Sequence, residues 1–335
     1  MKLVALFALL STALATRPES MEYGSQELVD YINNLGTTWK AGFSPRFKGV
    51  PHEVIKGMLG TKLRPHPDDL PMADTGDLQL DVPDTFDARQ KWPECHSIGV
   101  IRDQSACGSC WAVAAAEAMS DRTCIGSNGK VQVYISADDL MSCCWNCGYG
   151  CQGGFPLSAW QYWERTGLVT GGLYNSKSGC RPYPFPPCEH HINKTHYPPC
   201  PKSLYHTPPC KHQCQSGYDK SYNSDKHYGK SAYGVSSNVE KIQKEIMTNG
   251  PVEAAYMVYA DFLHYTGGVY QHKAGKFEGG HAVKMMGWGT ENGTPYWLIA
   301  NSWNADWGLK GYFKILRGHD ECGIESQIAA GLAKV

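Results

Sequence analysis

Gln104-Ser-Ala-Cys-Gly-Ser-Cys-Trp111 decides how this chain folds. The run from Trp111 to Met119 that follows it is rich in alanine and free of Gly and Pro, and reads as a helix. Cys110 therefore stands at a helix mouth, where the macrodipole favours negative charge, and its thiol is expected to ionise easily. Far downstream lie Gly279-Gly-His-Ala282, a histidine entering a strand, and Asn301-Ser-Trp-Asn-Ala-Asp-Trp-Gly308. A thiol, a base and an amide that can orient the base, in that order, fit nucleophilic attack on a carbonyl. Singly, each has an ordinary structural alternative: a disulfide partner, a core histidine, a turn residue.

Around this segment the composition sets limits. The chain has 335 residues, enough for about two domains, and 42% hydrophobic residues, enough for a sizeable core. Its net charge of −1 provides no basic surface for nucleic acid or anionic lipid. Fourteen cysteines point to an oxidising compartment, and 13 histidines would charge together in an acidic one. Met1-Lys2, the apolar Leu3 to Leu10 and Ala13-Leu14-Ala15 read as a signal peptide over 1–15, too short to span a bilayer.

Residues 16–81 contain no cysteine. Leu28, Val29 and Ile32 mark one short amphipathic helix; Val54, Ile55, Met58 and Leu59 mark another, which Gly60 is expected to stop. Arg64 to Gly76 is a linker rich in proline and acidic residues. A cysteine-free leader before a cysteine-dense body reads as a pro-segment removed after folding, with the cut expected between Leu78 and Val82. The mature part, 82–335, has two textures. Residues 95–214 carry 13 of the 14 cysteines. Beyond them, Val239 to Met247 reads as a helix, and Val283-Lys-Met-Met-Gly-Trp288 and Tyr296-Trp-Leu-Ile-Ala300 read as strands about an Asn292-Gly293 hairpin turn.

The body from Val82 to Ala330 resembles the cathepsin B group of papain-family cysteine peptidases. Besides the three segments above, the resemblance rests on Cys151-Gln-Gly-Gly-Phe-Pro156, Cys180-Arg-Pro-Tyr-Pro-Phe-Pro-Pro-Cys188-Glu-His-His191, Asp320-Glu-Cys-Gly-Ile-Glu-Ser326 and, in the leader, Thr37-Thr-Trp-Lys-Ala-Gly42. Spacing supports it. Plain papain-like enzymes separate Cys and His by ~130–150 residues, whereas 171 separate Cys110 and His281. An insertion rich in Pro, Cys and His between Cys180 and Cys214 accounts for the excess.

The resemblance implies an α+β, papain-like fold: a helical domain, a β-barrel-like domain, a cleft between them and an occluding loop at about 184–209. It implies Cys110 as nucleophile, His281 as base and acid, Asn301 as orienter of His281 and Gln104 as oxyanion donor with the Cys110 N–H. Trp303 would shield the His281–Asn301 contact. Gly153, Gly154, Phe155, Pro156, Ala255, Ala282, Trp303 and Gln327 would meet substrate. His190 and His191 would hold a substrate's C-terminal carboxylate, Asp103 pairing with the first, which gives peptidyl-dipeptidase activity beside endopeptidase activity. The implied disulfides are Cys95–Cys124, Cys107–Cys151, Cys143–Cys210, Cys144–Cys147, Cys180–Cys214 and Cys188–Cys200, with Cys322 free. From the residues alone the connectivity stays open, and the cysteines of 143–151 also allow a zinc site. No metal or organic cofactor is expected. Expected partners are peptide and protein substrates, the chain's own pro-segment and cystatin-like inhibitors, with no nucleic acid. Expected locations are the lysosome or an extracellular space such as a gut lumen. Asn193 is a candidate glycosylation site.

Two departures stand out. The group has Glu after Ile-Glu-Ser, where this chain has Gln327, so weaker acceptance of Arg two residues upstream of the cut is expected. The loop arginine that would face Asp306 is replaced around His196-Tyr197, so the loop tether is expected to loosen as pH rises. The alternative function is a catalytically silent, disulfide-rich secreted binding protein on the same fold.

Overall fold

A computed structural model describes residues 18–63, 80–188 and 197–335. The signal peptide, the linker with the start of the expected cleavage stretch, and His190, His191, Asn193 and His196 lie outside the described residues.

The leader folds as α1 (Gln26–Asn34), β1 (Trp39–Ala41) and α2 (His52–Met58). Ser25 caps α1 by accepting the Leu28 N–H, and the helix buries Leu28, Val29 and Ile32. The helical half follows: β2 (Phe86–Asp87), α3 (Ala88–Lys91), α4 (Cys110–Gly126), α5 (Ala137–Cys143) and α6 (Pro156–Thr166). The α4 helix is longer than its alanine run, and every residue from Cys110 to Cys124 is buried. A helix buried all round belongs at the centre of a lobe, and its charged residues are paired there, Asp121 with Lys284 and Arg122 with Glu245. The described residues then add β3 (Tyr228–Gly229), β4 (Tyr233–Val235), α7 (Val239–Asn249), β5 (Val252–Tyr259), β6 (Tyr265–Tyr270), β7 (Phe277–Glu291), β8 (Thr294–Ala300), β9 (Tyr312–Leu316), β10 (Ile328–Ala330) and β11 (Ala333–Lys334). Asn292 and Gly293, both at positive φ, make the tight turn between β7 and β8.

The main sheet runs β1-β6-β9-β8-β7-β5-β10-β4, with β2 also on β7. Its first strand therefore comes from the leader. Trp39, Leu28, Ile32 and Ile55 of the leader share one buried cluster with Trp288, Trp297 and Phe313 of the body. Burying such a side chain contributes roughly 1.5–3 kcal/mol, so the leader is seated as part of the core. A second cluster around Trp111, Trp160 and Trp163 fills the helical lobe.

Six disulfides join Cys95–Cys124, Cys107–Cys151, Cys143–Cys210, Cys144–Cys147, Cys180–Cys214 and Cys188–Cys200. Cys110 and Cys322 are free. His212 lies beside the Cys143 and Cys210 sulfurs, but those sulfurs are bonded to each other. No helix among the described residues is long and apolar enough to cross a membrane.

Candidate active site

Cys110 is the first residue of α4, and His281 lies in β7 opposite Tyr256 of β5. The Cys110 sulfur receives backbone N–H groups from Ala282, Gly60 and Trp111. His281 and Cys110 thus meet where β7 passes the mouth of the helix. The His281 Nε2 hydrogen-bonds Asn301 Oδ1 at 2.8 Å. The Ser302 N–H also donates to Asn301 Oδ1 at 2.8 Å, which fixes the amide. With Nε2 on Asn301, the buried His281 Nδ1 finds no partner among the described residues. Trp303 stacks on the imidazole at 4.8 Å between ring centres.

Gln104 is wholly buried. Its Nε2 donates to the carbonyls of Cys107 and Met58, both at 2.8 Å, and its Oε1 accepts from Ser302 Oγ at 2.7 Å. Met58 belongs to the leader, so a leader carbonyl occupies one of the two donor positions of this amide. Tyr183 holds the segment from behind: its hydroxyl donates to the Gln104 carbonyl at 2.8 Å and lies 2.7 Å from Ser109 Oγ.

The leader crosses the site as an extended strand. The Thr61 N–H donates to the Gly280 carbonyl at 3.0 Å, the Gly154 N–H to the Gly60 carbonyl at 2.9 Å and the Lys62 N–H to the Gly154 carbonyl at 2.9 Å. The Thr61 hydroxyl lies 3.1 Å from Cys110 Sγ. Leu63 packs on Ala114, Ala255 and Ala282 and lines a cavity that also touches Gln327. Gly153, Gly154, Ala255, Ala282 and Gln327 are thus brought together by the leader. Phe155 and Pro156 begin α6 beside Gly154, while Trp303 serves His281.

The second leader helix ends as expected: α2 stops at Met58 with Leu59 as its C-cap, and Gly60 follows, extended against Gly280. Gly60 has a second reason to lack a side chain, because a methyl there would overlap the Gly108 carbonyl. One expectation needs correction: Cys110 is not a ready thiolate in this state. Burial pushes its thiol up, against four hydrogen bonds that favour the anion. Burial also pushes His281 down to about 4. Shut off from water by the leader, thiol and imidazole are each held neutral. The helix-mouth argument considers only the dipole, and desolvation outweighs it here.

Asp103 accepts the Ser105 N–H at 2.7 Å. Burial raises its pKa, opposed by the Arg46 guanidinium of the leader. Arg46 is itself buried, touching Cys200 Sγ at 3.5 Å. The leader thus reaches the carboxylate expected to hold the loop. Sequence reasoning missed Arg46, Thr61 and Ser302, since their only signal is proximity across long stretches of chain.

A histidine of the body also grips the leader. His264, 1% exposed, accepts the Gly24 N–H on Nε2 at 3.1 Å. Its Nδ1 lies 3.0 Å from the Gly42 carbonyl, to which it donates. Tyr23 stacks on one face and Phe43 meets the ring edge-on. Asp261 is the nearby charge, and beyond Tyr23 lie His52 and the Glu278 it pairs with. Only neutral imidazole makes both bonds, and burial lowers the pKa. A group whose pKa is depressed by leader binding strengthens binding above its free value of ~6.5 and weakens it as pH falls. His264→Gln keeps one donor and one acceptor but cannot titrate. At pH 7 the variant and wild-type zymogens should self-process at equal rates. At pH 5 the variant should lag by about tenfold; identical profiles would remove His264 from the acid response.

The chain matches the model of the papain family cysteine protease over residues 82–332 and that of the peptidase family C1 propeptide over residues 25–65. It is 55% identical to cathepsin B-like cysteine proteinase 6 of Caenorhabditis elegans, over 95% of this chain and 85% of that protein. It is 50% identical to the cathepsin B-like cysteine proteinase of Schistosoma japonicum, over 99% and 98%. Among solved structures, procathepsin B S9 of Trypanosoma congolense superposes with a TM-score of 0.81 at 38% identity, covering 93% of this chain and 99% of that one. With its body matched over residues 82–332 and its leader over residues 25–65, the chain belongs to the papain family of cysteine proteases, on the cathepsin B side of it, and carries that family's propeptide.

Proposed function

We propose that, once the leader is released, Cys110 attacks the scissile carbonyl, its proton passing to the free Nδ1 of His281. The observation that carries this assignment is the His281 Nε2 bond to Asn301, which leaves Nδ1 as the nitrogen able to take the thiol proton. His281 then protonates the leaving amine. Gln104 Nε2, freed of the Met58 carbonyl, and the Cys110 N–H stabilise the oxyanion. Water hydrolyses the acyl-enzyme.

His190 and His191 hold a free C-terminal carboxylate, so the enzyme releases C-terminal dipeptides as well as cutting internally. Support comes from the resemblance of the loop and from Asp103, which lies within reach of the leader that precedes it in the site. The enzyme works in the lysosome or an extracellular digestive space and is open to cystatin-like inhibitors. The test compares a peptide bearing a free C-terminus with its C-terminal amide, using enzyme matured in acid with reductant. Release of dipeptide from the free acid only, abolished by alkylating Cys110 and by His190→Ala, is the expected result. Equal cleavage of both would retire the histidine pair. No cleavage of either by folded, processed protein would favour the silent binding protein.

The cavity touched by Leu63 seats the side chain two residues upstream of the cut. Gln327 on its wall carries no charge to form an ion pair with a guanidinium, so Gln327→Glu should raise the Arg-to-Leu ratio of kcat/KM about tenfold. An unmoved ratio would place that side chain elsewhere.

A further inference from the structure

The main chain of Gln104 is held by a residue 79 positions further along the sequence. The Tyr183 hydroxyl donates to the Gln104 carbonyl at 2.8 Å, and Ser109 Oγ lies 2.7 Å from the same hydroxyl. With the Tyr183 proton on the carbonyl, Ser109 supplies the proton of the second bond. One hydroxyl therefore bridges the residue that bears the amide and the residue that precedes Cys110. Gln104, Ser109 and Tyr183 are all buried.

The peptide unit between Gln104 and Ser105 needs such a hold. Ser105 has a φ of 55°, in the left-handed region that a residue with a side chain keeps only when its surroundings impose it. The N–H of that unit donates to Asp103 Oδ1 at 2.7 Å, and its carbonyl receives Tyr183. The Gln104 N–H is fixed in turn on the Ser302 carbonyl at 2.9 Å.

Tyr183 stands at the root of the insertion between Cys180 and Cys214. Its ring meets Phe185 edge-on at 5.7 Å, and Phe185 stacks on Tyr205 at 4.3 Å. Tyr205 returns to the same segment, its N–H donating to the Ala106 carbonyl at 2.8 Å. Phenylalanine at position 183 would keep these ring contacts. The hydroxyl has a separate duty, because both of its bonds lie on the stretch between Gln104 and Cys110, which sets the spacing of amide and thiol.

We propose that Tyr183 is a positioning residue for catalysis: its hydroxyl fixes the Gln104–Ser105 peptide so that the Gln104 amide meets the oxyanion beside the Cys110 N–H. This rests on the reading of Gln104 as an oxyanion donor. Such donors work because they need no reorganisation when charge develops, so a loosened segment loses rate and not substrate binding.

Matured Tyr183→Phe is compared with wild type, per titrated active site, both alone and combined with Gln104→Ala. Alone, it should lower kcat and kcat/KM equally, by about tenfold. In the Gln104→Ala enzyme the same change should cost about threefold at most, because no amide is left to position. Alkylation of mature Cys110 by iodoacetamide, a displacement at saturated carbon that forms no oxyanion, should keep the wild-type rate. An unchanged kcat, the full tenfold loss in the Gln104→Ala background, or a parallel fall in alkylation would each overturn the proposal, the last by revealing a general packing defect. Failure of the underlying reading is told apart by Gln104→Ala itself, which would then leave kcat within tenfold of wild type.

Discussion

Full-length zymogen carrying Gly60→Ala is expected to expose its catalytic thiol while the leader is still attached. Gly60 lies against Gly108, and a methyl added to it would occupy the space of the Gly108 carbonyl. Gly108 cannot retreat: its N–H donates to the Cys151 carbonyl at 2.9 Å, and the neighbouring Cys107 is bonded to Cys151. Nor can the leader slide, because the Gly60 carbonyl and the Thr61 N–H are each tied to the body. Overpacking typically costs about 1–3 kcal/mol, and a clash with fixed backbone belongs at the upper end, or about a hundredfold in leader binding. The measurement is the alkylation rate of Cys110 at pH 7, with gels confirming an uncut chain. Alkylation about a hundredfold faster than in wild type is expected; equal rates would show that this crossing is not what closes the site.

Gln104→Ala should lower kcat of the mature enzyme by about 10²–10³ with little change in KM. In the mature enzyme the amide keeps two holds, the Ser302 hydroxyl on its oxygen and the Cys107 carbonyl on its nitrogen. Fixed donors of this kind act on charge that develops only in the transition state. The leader places the Met58 carbonyl on the same amide, so the variant zymogen should also alkylate faster than wild type. Losing the side chain leaves Ser302 Oγ without its acceptor, a stability cost of about 1–3 kcal/mol. A thermal melt and titration of active sites separate that cost from catalysis. A kcat within tenfold of wild type would place the oxyanion elsewhere.

How far these features can be read from sequence depends on the range of the forces involved. The helix opening at Cys110 is written in nine consecutive residues, and the β7–β8 hairpin in Asn292-Gly293; both signals are local. The apolar faces of α1 and α2 are equally plain, since burial follows a period of 3.6. The charge state of Cys110 was not legible. The groups that desolvate it, Gly60 and Thr61, are about fifty residues away and reach it only through tertiary packing. Gly60 was only half legible for the same reason: a glycine after a helical pattern rightly marks the helix's end, and only the nearness of Gly108 shows its other need. Ser302, which orients Gln104 across 198 residues of chain, leaves no local trace.

The leader strand β1 has a consequence for the enzyme's later life. It pairs Trp39 with Gly268, Lys40 with Gly267 and Ala41 with Tyr265, and the Trp39 indole donates to the Gln271 carbonyl at 2.8 Å. When the leader departs, β6 becomes the rim of the sheet, and a row of amides and carbonyls loses its covering. Such a rim is a template for any extended chain, including a second molecule of the enzyme. Maturation therefore exchanges one kind of restraint for one kind of stickiness. Until then the leader keeps that seam covered, so the edge is never exposed in the uncut chain.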